Sequence, residues 1–247
     1  APVGATQQRT MMAIEAVARE IAPLLEPGAV VVNKSTVPVG TTRLVARWLA
    51  EAGAAHDANV ASNPEFLREG TAVRDFLSPN RIVIGCDDPS VAVRISELYR
   101  TIPAPIVVTD AASAEMIKQA SNAFLATKIS FINAMAEIAE VTGADVTQLA
   151  DAIGHDARIG RRFLGAGIGF GGSCLPKDVA ALNAEGRRRA LPMALLDAVL
   201  RVNAAQPFEV IRRLERHFPN LSGKRISVLG LAFRPDTDDL RESPAIP

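Results

Sequence analysis

The sequence predicts an α/β chain: part of a parallel-sheet domain covered by helices, an all-helical middle, and the first strand of a second α/β domain. Three observations predict it. Short apolar runs alternate with helical patterns as far as residue 109, a proline-free helical pattern of about 30 residues follows, and residues 224–233 return to strand chemistry.

Taken in order, "AVVV" at 29–32 is a short apolar run between Pro27-Gly28 and a Ser/Thr-rich loop, as a buried strand requires. "TTRLVARWLAEAG" then sets Leu44, Val45, Trp48 and Leu49 at helical spacing, with Gly53 as the stop. Strands are predicted at 58–62, 81–86 and 105–109, with a helix over 89–100 between the last two. From Asp110 to Gly143 the apolar positions recur at helical spacing over most of the circumference. Such a helix needs burial against other helices, and a two-fold dimer interface is one way to supply it. Further helices are predicted at 145–153, 178–186 and 192–217, before "KRISVLGLAF".

Composition narrows the function classes. The 247 residues are 48% apolar, enough for a core, and 27 basic residues balance 27 acidic ones. No net field favours nucleic acid or an anionic membrane; the basic runs Arg187–Arg189 and Arg212–Arg213 belong on solvated helix faces. No apolar stretch approaches the ~20 residues of a membrane span, and no signal peptide is visible. Two cysteines suit a reducing cytoplasm, and three scattered histidines without Cys-x-x-Cys argue against structural zinc. The opening "APVGATQQRT" and the close "RESPAIP" read as the edges of a piece from a longer protein.

The chemistry concentrates at "GIGFGGSCLPKD", residues 167–178. Gly167, Gly169 and Gly172 match G-x-G-x-x-G, yet no buried strand precedes them and no acid stands about 20 positions on, so a dinucleotide fingerprint is rejected. Glycines let backbone approach a ligand closely. Cys174 precedes a helix with Pro176 in its first turn, and the helix dipole and Lys177 favour its thiolate. Asp178 shares that face and can hold a water or polarise a hydroxyl. Cys174 is therefore the expected nucleophile, whereas Cys86, ending "RIVIGC", is expected to be a packing residue. A Cys-His hydrolase would have to recruit His56, His155 or His217 from afar.

Three further polar clusters stand out. Thr36 ends a buried strand, where open sheets bind ligands, although an ordinary turn and helix cap reads as well. Glu65 and Glu69 lie four apart in "NPEFLREG", on one side of any helical turn there, or on a solvated charged turn. Lys118 and Asn122, also four apart in an apolar helix, can steady an oxyanion; otherwise Lys118 snorkels to the surface. Gln119, one position round, is expected to have no part in that oxyanion chemistry.

"STVPVGTT", "NPEFLREGTAVRDFLSPNRIVIG", "KQASNAFLATKISFINAMAEI", "RIGRRFLGAGIGFGGSCLPKD" and "GLAFRPDTDDLRESPAI", in this order, resemble the UDP-glucose 6-dehydrogenase family, within the UDP-glucose/GDP-mannose dehydrogenase superfamily. The resemblance runs from about residue 28 to the end. It implies the second half of a Rossmann-like NAD domain over 1–109, a central helical dimerisation domain over 110–221, and the start of a nucleotide-sugar domain over 222–247.

By that resemblance the enzyme is a cytoplasmic homodimer or higher homo-oligomer that oxidises the C6 alcohol of UDP-glucose with NAD, binding neither nucleic acid nor membrane. Cys174 adds to the aldehyde, Lys118 and Asn122 stabilise oxyanions, Asp178 and Thr36 position water, and Glu65 is a candidate base. Ser35, Thr36, Glu69, Cys174, Lys177 and Arg241 stand near NAD, and no metal is implied. The substrate is met by Glu65, Phe66, Leu67, Glu69, Lys118 and Asn122. Also on it are Phe163, Leu164, the glycines Gly165, Gly167, Gly169 and Gly171, and Phe233 with Arg234. Arg158 reaches it from a partner subunit.

Departures are Arg234 where lysine is usual, Asn80 where aspartate is usual, and the absence of the family's fingerprint segment. "GGSC" speaks against the UDP-N-acetylmannosamine branch, which carries a histidine before the cysteine. GDP-mannose dehydrogenase is the alternative, sharing "GGSCLPKD" and "TDDLRESP". A third reading is a non-catalytic dimerisation fragment.

Overall fold

The computed structural model describes residues 3–54, 58–218 and 220–246. The chain divides into two units, Ala1–Ala120 and Ser121–Pro247. The first unit contains α1 (Val3–Ile21), β1 (Val30–Asn33), α2 (Thr41–Glu51), β2 (Asn59–Ser62), α3 (Ala72–Leu77), β3 (Ile82–Gly85), α4 (Pro89–Leu98) and β4 (Ile106–Thr109). The long helix α5 (Ala111–Thr142) begins in the first unit and continues into the second, where α6 (Val146–Gly154), α7 (Leu175–Arg188) and α8 (Ala194–His217) follow.

The four strands form one sheet in the order β1-β2-β3-β4. β1 pairs with β2 in parallel, as does β3 with β4, each pair linked through one helix, α2 or α4. The expected all-parallel sheet is corrected at its centre: β2 and β3 are antiparallel and meet only at Ser62 and Gly85. Residues 63–81 join β2 to β3, with α3 spanning only six of them, and β3 enters in the opposite sense to β2.

Two apolar clusters fill the first unit. Ala61, Ile82 and Ile84 from the strands pack on Val91, Ala92 and Ile95 of α4. Val45, Trp48 and Leu49 of α2 pack on Ala18 and Ala22. The sequence reading assigned no element to α1, although Met11, Ile14, Ala18 and Ala22 recur at helical spacing and pack in that cluster.

In the second unit Ala123 and Ala126 of α5 pack with Val179 of α7, Leu196 and Val199 of α8, and Phe170. Farther along α5, Ile132 packs with Ala150 of α6 and Leu164. The expected limits of α5 hold: Asp110 accepts the Ser113 N–H at 2.9 Å before its start, and Gly143 ends it with φ +76°.

Residues 224–233, predicted as a strand, pair with no strand among the described residues. Strand propensity becomes a strand only beside a ladder partner, and here Val228 and Leu229 stand 62% and 93% exposed. The end of the segment instead meets the glycine loop, where a Cβ on Gly172 would fall 2.6 Å from the Phe233 ring; farther on, the Arg241 carbonyl accepts the Gly172 N–H at 3.0 Å.

The approach to α3 rests on an ion pair. Arg68 Nη2 and Nε reach Asp75 at 2.6 and 2.9 Å, and the Arg68 N–H adds a bond at 3.0 Å. These bonds, the guanidinium first, hold the Asp75 carboxyl down to about 2 from an ordinary 3.8. A depressed carboxyl stabilises above its unfolded pKa and loses that contribution as pH falls through the folded value. The stability gap between the parent and Asp75→Asn in urea unfolding is therefore expected to be constant above pH ~4 and to close as pH falls through about 2.

Candidate active site

Glu115, Lys118, Gln119 and Asn122 recur along α5 at steps that put them on one face. All four are buried, at 2%, 5%, 4% and 8% exposure. Buried polar groups persist only with partners, and each of these grips a separate stretch of chain.

Glu115 takes the start of α2. Its Oε2 accepts the Gly40 N–H at 2.5 Å, and its Oε1 accepts the Thr42 N–H and hydroxyl, each at 2.7 Å. A carboxylate there satisfies first-turn donors and meets the positive end of the helix dipole. One turn on, Gln119 Nε2 donates to the Val37 carbonyl at 2.6 Å. The loop carrying Thr36 is thus held at Val37, Gly40 and Thr42. This corrects one expectation: the cap of α2 comes from a distant glutamate rather than a local Ser or Thr. Gln119 has a structural part.

Lys118 does not snorkel. Its Nζ lies 3.4 Å from Glu65 Oε1 and 5.2 Å from the centre of the Phe66 ring. The Arg81 guanidinium also lies over that ring, at 3.9 Å, and burial pushes its pKa below the ordinary value. Glu65 and Glu69 share no helical turn: residues 63–68 are irregular, and Glu65 Oε2 folds back to accept the Leu67 N–H at 2.6 Å. Leu67, Glu69 and Ser35 are exposed and Thr36 is half-buried. Lys34 ties this region together, donating to Asn63 Oδ1 at 2.8 Å and to the Tyr99 hydroxyl at 3.0 Å.

In the second unit Cys174 is the exposed residue that opens α7, with Pro176 in the first turn, as the sequence predicts. Asp178, one turn on, is 2% exposed. Its Oδ1 lies 2.8 Å from Lys177 Nζ, and its Oδ2 accepts from Asn122 Nδ2 at 2.6 Å. The cation expected to serve Cys174 is therefore bound to the buried carboxylate next to it. Cys86 accords with a packing role: it is half-buried, and burial raises its thiol pKa.

The glycine loop has two parts. Gly165 and Gly167 are exposed, and a Cβ at either would meet nothing. Farther on the glycines answer to packing. A Cβ at Gly171 would fall 2.3 Å from the Glu242 carbonyl oxygen, and one at Gly172 would fall 2.6 Å from the Phe233 ring. Leu164 is buried and Phe163 holds φ +67°.

Other predicted residues pair with close neighbours. Arg158 meets Asp156 at 2.6 Å, and Arg241 meets Asp239 at 2.7 Å. Arg234 is half-buried. His56 lies outside the described residues. Among the described residues no cluster of metal-binding side chains occurs, and no helix is long and apolar enough to cross a membrane. Glu115 and Lys128 escaped the sequence reading; Lys128 Nζ donates to the carbonyls of Ile159 and Gly160 at 3.0 and 2.9 Å. An acid inside an apolar helix, at i−3 from Lys118, was the available signal for Glu115.

Glu115→Ala strands two amides and a hydroxyl and is expected to cost about 2–5 kcal/mol in urea unfolding. Gln119→Ala is expected to cost about 1–3 kcal/mol. Met116→Ala, at an exposed position of the same helix, is the control and should stay within about 0.5 kcal/mol.

The family "UDP-glucose/GDP-mannose dehydrogenase family, NAD binding domain" matches residues 1–103, and the same family's central domain matches 112–205. The UDP-glucose 6-dehydrogenase TuaD of Bacillus subtilis is 47% identical over 246 residues, covering 99% of this chain and 53% of that protein. The UDP-glucose 6-dehydrogenase of Rhizobium meliloti is 46% identical over 94% of this chain and 55% of its own length. Among solved structures, a UDP-glucose dehydrogenase from Pyrobaculum islandicum superposes with TM-score 0.89 at 47% identity, over 95% of this chain and 54% of that one. The GDP-mannose dehydrogenase of Pseudomonas aeruginosa gives TM-score 0.58 at 35% identity, over 95% and 55%. The chain spans about half the length of the curated relatives it matches. On these matches, and with Cys174 and its polar neighbours arranged as described, the chain belongs to the UDP-glucose/GDP-mannose dehydrogenase family.

Proposed function

We propose that this chain carries the central chemistry of an NAD-dependent oxidation of UDP-glucose to UDP-glucuronate. The observation that carries the reading is the exposed Cys174 at the start of α7, one turn from the buried Asp178 that Lys177 and Asn122 hold. The homologous enzymes named for UDP-glucose support that substrate over GDP-mannose. The proposed domains are 1–109 for NAD, 110–221 for the helical centre and 222–247 for the start of the nucleotide-sugar domain, in a cytoplasmic enzyme.

The residues at the carboxyl end of β1 fit a cofactor edge. Asn33 Nδ2 is buried there without a partner, beside exposed Ser35. Ser35, Thr36, Glu69, Cys174, Lys177 and Arg241 are the proposed NAD contacts. When bound, NAD accepts the electron pair of the C6 carbon in each of two oxidations.

In the first, the C6 hydroxyl gives its proton to a base, for which Glu65 is the candidate, leaving an aldehyde. The Cys174 sulfur then bonds to the aldehyde carbon, forming a thiohemiacetal. The second oxidation leaves a thioester. Water positioned by Asp178 and Thr36 adds to its carbon, the C–S bond breaks, and the carboxylate and the thiol are released. Lys118 and Asn122 stabilise the negative oxygen at the addition steps. Glu65, Phe66, Leu67, Glu69, the loop Phe163–Gly171, Phe233 and Arg234 hold the substrate, with Arg158 reaching a partner subunit's site.

The partner is proposed to be a second copy. α5 presents Phe124, Phe131 and Ile138 at seven-residue steps, exposed by 64%, 48% and 54%. Apolar residues so spaced form a stripe suited to a two-fold helix pair. Light scattering is expected to give twice the chain mass; a stable monomer at micromolar concentration would remove the proposal.

The activity test uses this chain joined to the flanking parts of the Bacillus relative. The joined protein is expected to reduce NAD with UDP-glucose, while the chain alone turns over nothing and serves only as a dimerisation piece. Cys174→Ser should abolish acid formation and leave nucleotide-sugar binding nearly intact, whereas Cys86→Ser should change little. Uronic acid formed at a near-parent rate by Cys174→Ser would falsify the nucleophile. Turnover of GDP-mannose in place of UDP-glucose would reassign the substrate.

A further inference from the structure

Two asparagines outside the predicted site hold the glycine loop by its backbone. Asn133 of α5 is 1% exposed, and its Oδ1 accepts the Gly167 N–H at 2.8 Å. Asn203 of α8 takes both backbone groups of Phe170: Oδ1 accepts the N–H at 2.7 Å, and Nδ2 donates to the carbonyl at 3.0 Å. A side-chain amide used in this way stands in for a neighbouring strand and satisfies backbone that lies in no ladder.

The sequence around Asn203 is fitted to this contact. Pro207 lies four residues on, inside α8. Without an N–H, it leaves the Asn203 carbonyl lacking its helical donor. Gly169 comes in against that turn with φ +106°, where a Cβ would lie 2.8 Å from Asn203 Oδ1 and 3.3 Å from the Asn203 carbonyl oxygen. Only glycine tolerates both the angle and the approach. Asn133 tells the same story by its unused half. Its Nδ2 is buried with no partner, which is unfavourable in itself. The acceptor bond to Gly167 is the one hydrogen bond that accounts for an amide at this site.

We propose that Asn133 and Asn203 are positioning residues for Cys174. The loop is fastened at Gly167, at Phe170 and, through the Arg241 carbonyl, at Gly172. Ser173 follows, and Cys174 then opens α7. The sulfur therefore takes its place from helix on one side and from a pinned loop on the other. Its role as nucleophile belongs to the reading under Proposed function, on which this inference rests; the fastening itself does not depend on turnover.

The test uses the chain as it stands with Cys86→Ser, so that Cys174 is the only thiol. Asn203→Leu, Asn203→Asp and Asn133→Leu are compared with this parent. Two quantities are read: amide exchange of the peptide spanning 165–173, and the pH profile of Cys174 alkylation by iodoacetamide. Asn203→Leu is expected to speed exchange by about twofold to tenfold, the factor one net hydrogen bond contributes, and to displace the alkylation profile. Asn203→Asp keeps the acceptor and should fall between Leu and the parent. Asn133→Leu should speed exchange at Gly167. If either leucine variant fails to fold, Asn203→Asp, at a half-buried position, decides the matter. Parent-like exchange and alkylation at position 203 overturn the proposal. Faster exchange with an unchanged alkylation profile overturns the link to Cys174. A Cys174 that proves dispensable for acid formation would appear in the turnover assay alone and leave both readouts standing.

Discussion

The first unit depends on a buried charge. Taking the Glu115 carboxylate out of water costs several kcal/mol even after relaxation. Three short donor bonds return about 1.5–3 kcal/mol each, and the helix N-terminus adds up to ~2 kcal/mol. The balance is close, so the arrangement holds only while Gly40 and Thr42 stay in place. That closure fixes the loop carrying Thr36 at two ends: α2 starts just after Gly40, and the backbone before it passes Val37 within reach of Gln119. The lysine between these two residues then has one direction left, toward Glu65 and Phe66.

Asp178 solves the same problem differently. It too is a carboxylate at 2% exposure, but its partners are one cation and one neutral amide. Lys177 is about one-third exposed on its side chain, so water screens its charge, whereas Asn122 is buried. The chemical consequence lies in the division of labour. A lysine already bound to a carboxylate is a weaker attractor for a nearby thiolate than a free one, and the helix terminus and the Ser173 hydroxyl, 3.6 Å from the sulfur, stand beside Cys174.

Periodicity made α5 legible to within a residue of its limits, and the four-residue step put Lys118 and Asn122 on one face before any coordinates. The same signal says nothing of what lies opposite a face. Glu115 meets Thr42 from 73 positions away, Gln119 meets Val37 from 82, and Asn133 meets Gly167 from 34. Nothing local encodes those pairings, so the structural part of Gln119 was not legible. Residues 224–233 failed for the complementary reason: their alternation is real, but a strand is a property of two segments, and these residues have no ladder here. The antiparallel meeting of β2 and β3 had no local signal either, since a single bridge between Ser62 and Gly85 sets its sense.

The glycine loop makes the limit of motif reading concrete. Gly167, Gly169 and Gly172 spell the dinucleotide pattern, whose glycines allow a tight turn, a close pyrophosphate and a close strand. In this chain each has another cause. Gly167 offers its N–H to Asn133 in open space, Gly169 admits the Asn203 side chain at φ +106°, and Gly172 admits the Phe233 ring at φ +82°. An alanine at 167 meets no atom, while one at 169 or 172 meets a side chain and a forbidden angle. The letter is the same at three positions and the constraint differs at each. The loop is consequently close-packed where it leads to Cys174, while Gly165 and Gly167 face solvent, with Gly167 held there by a single backbone bond.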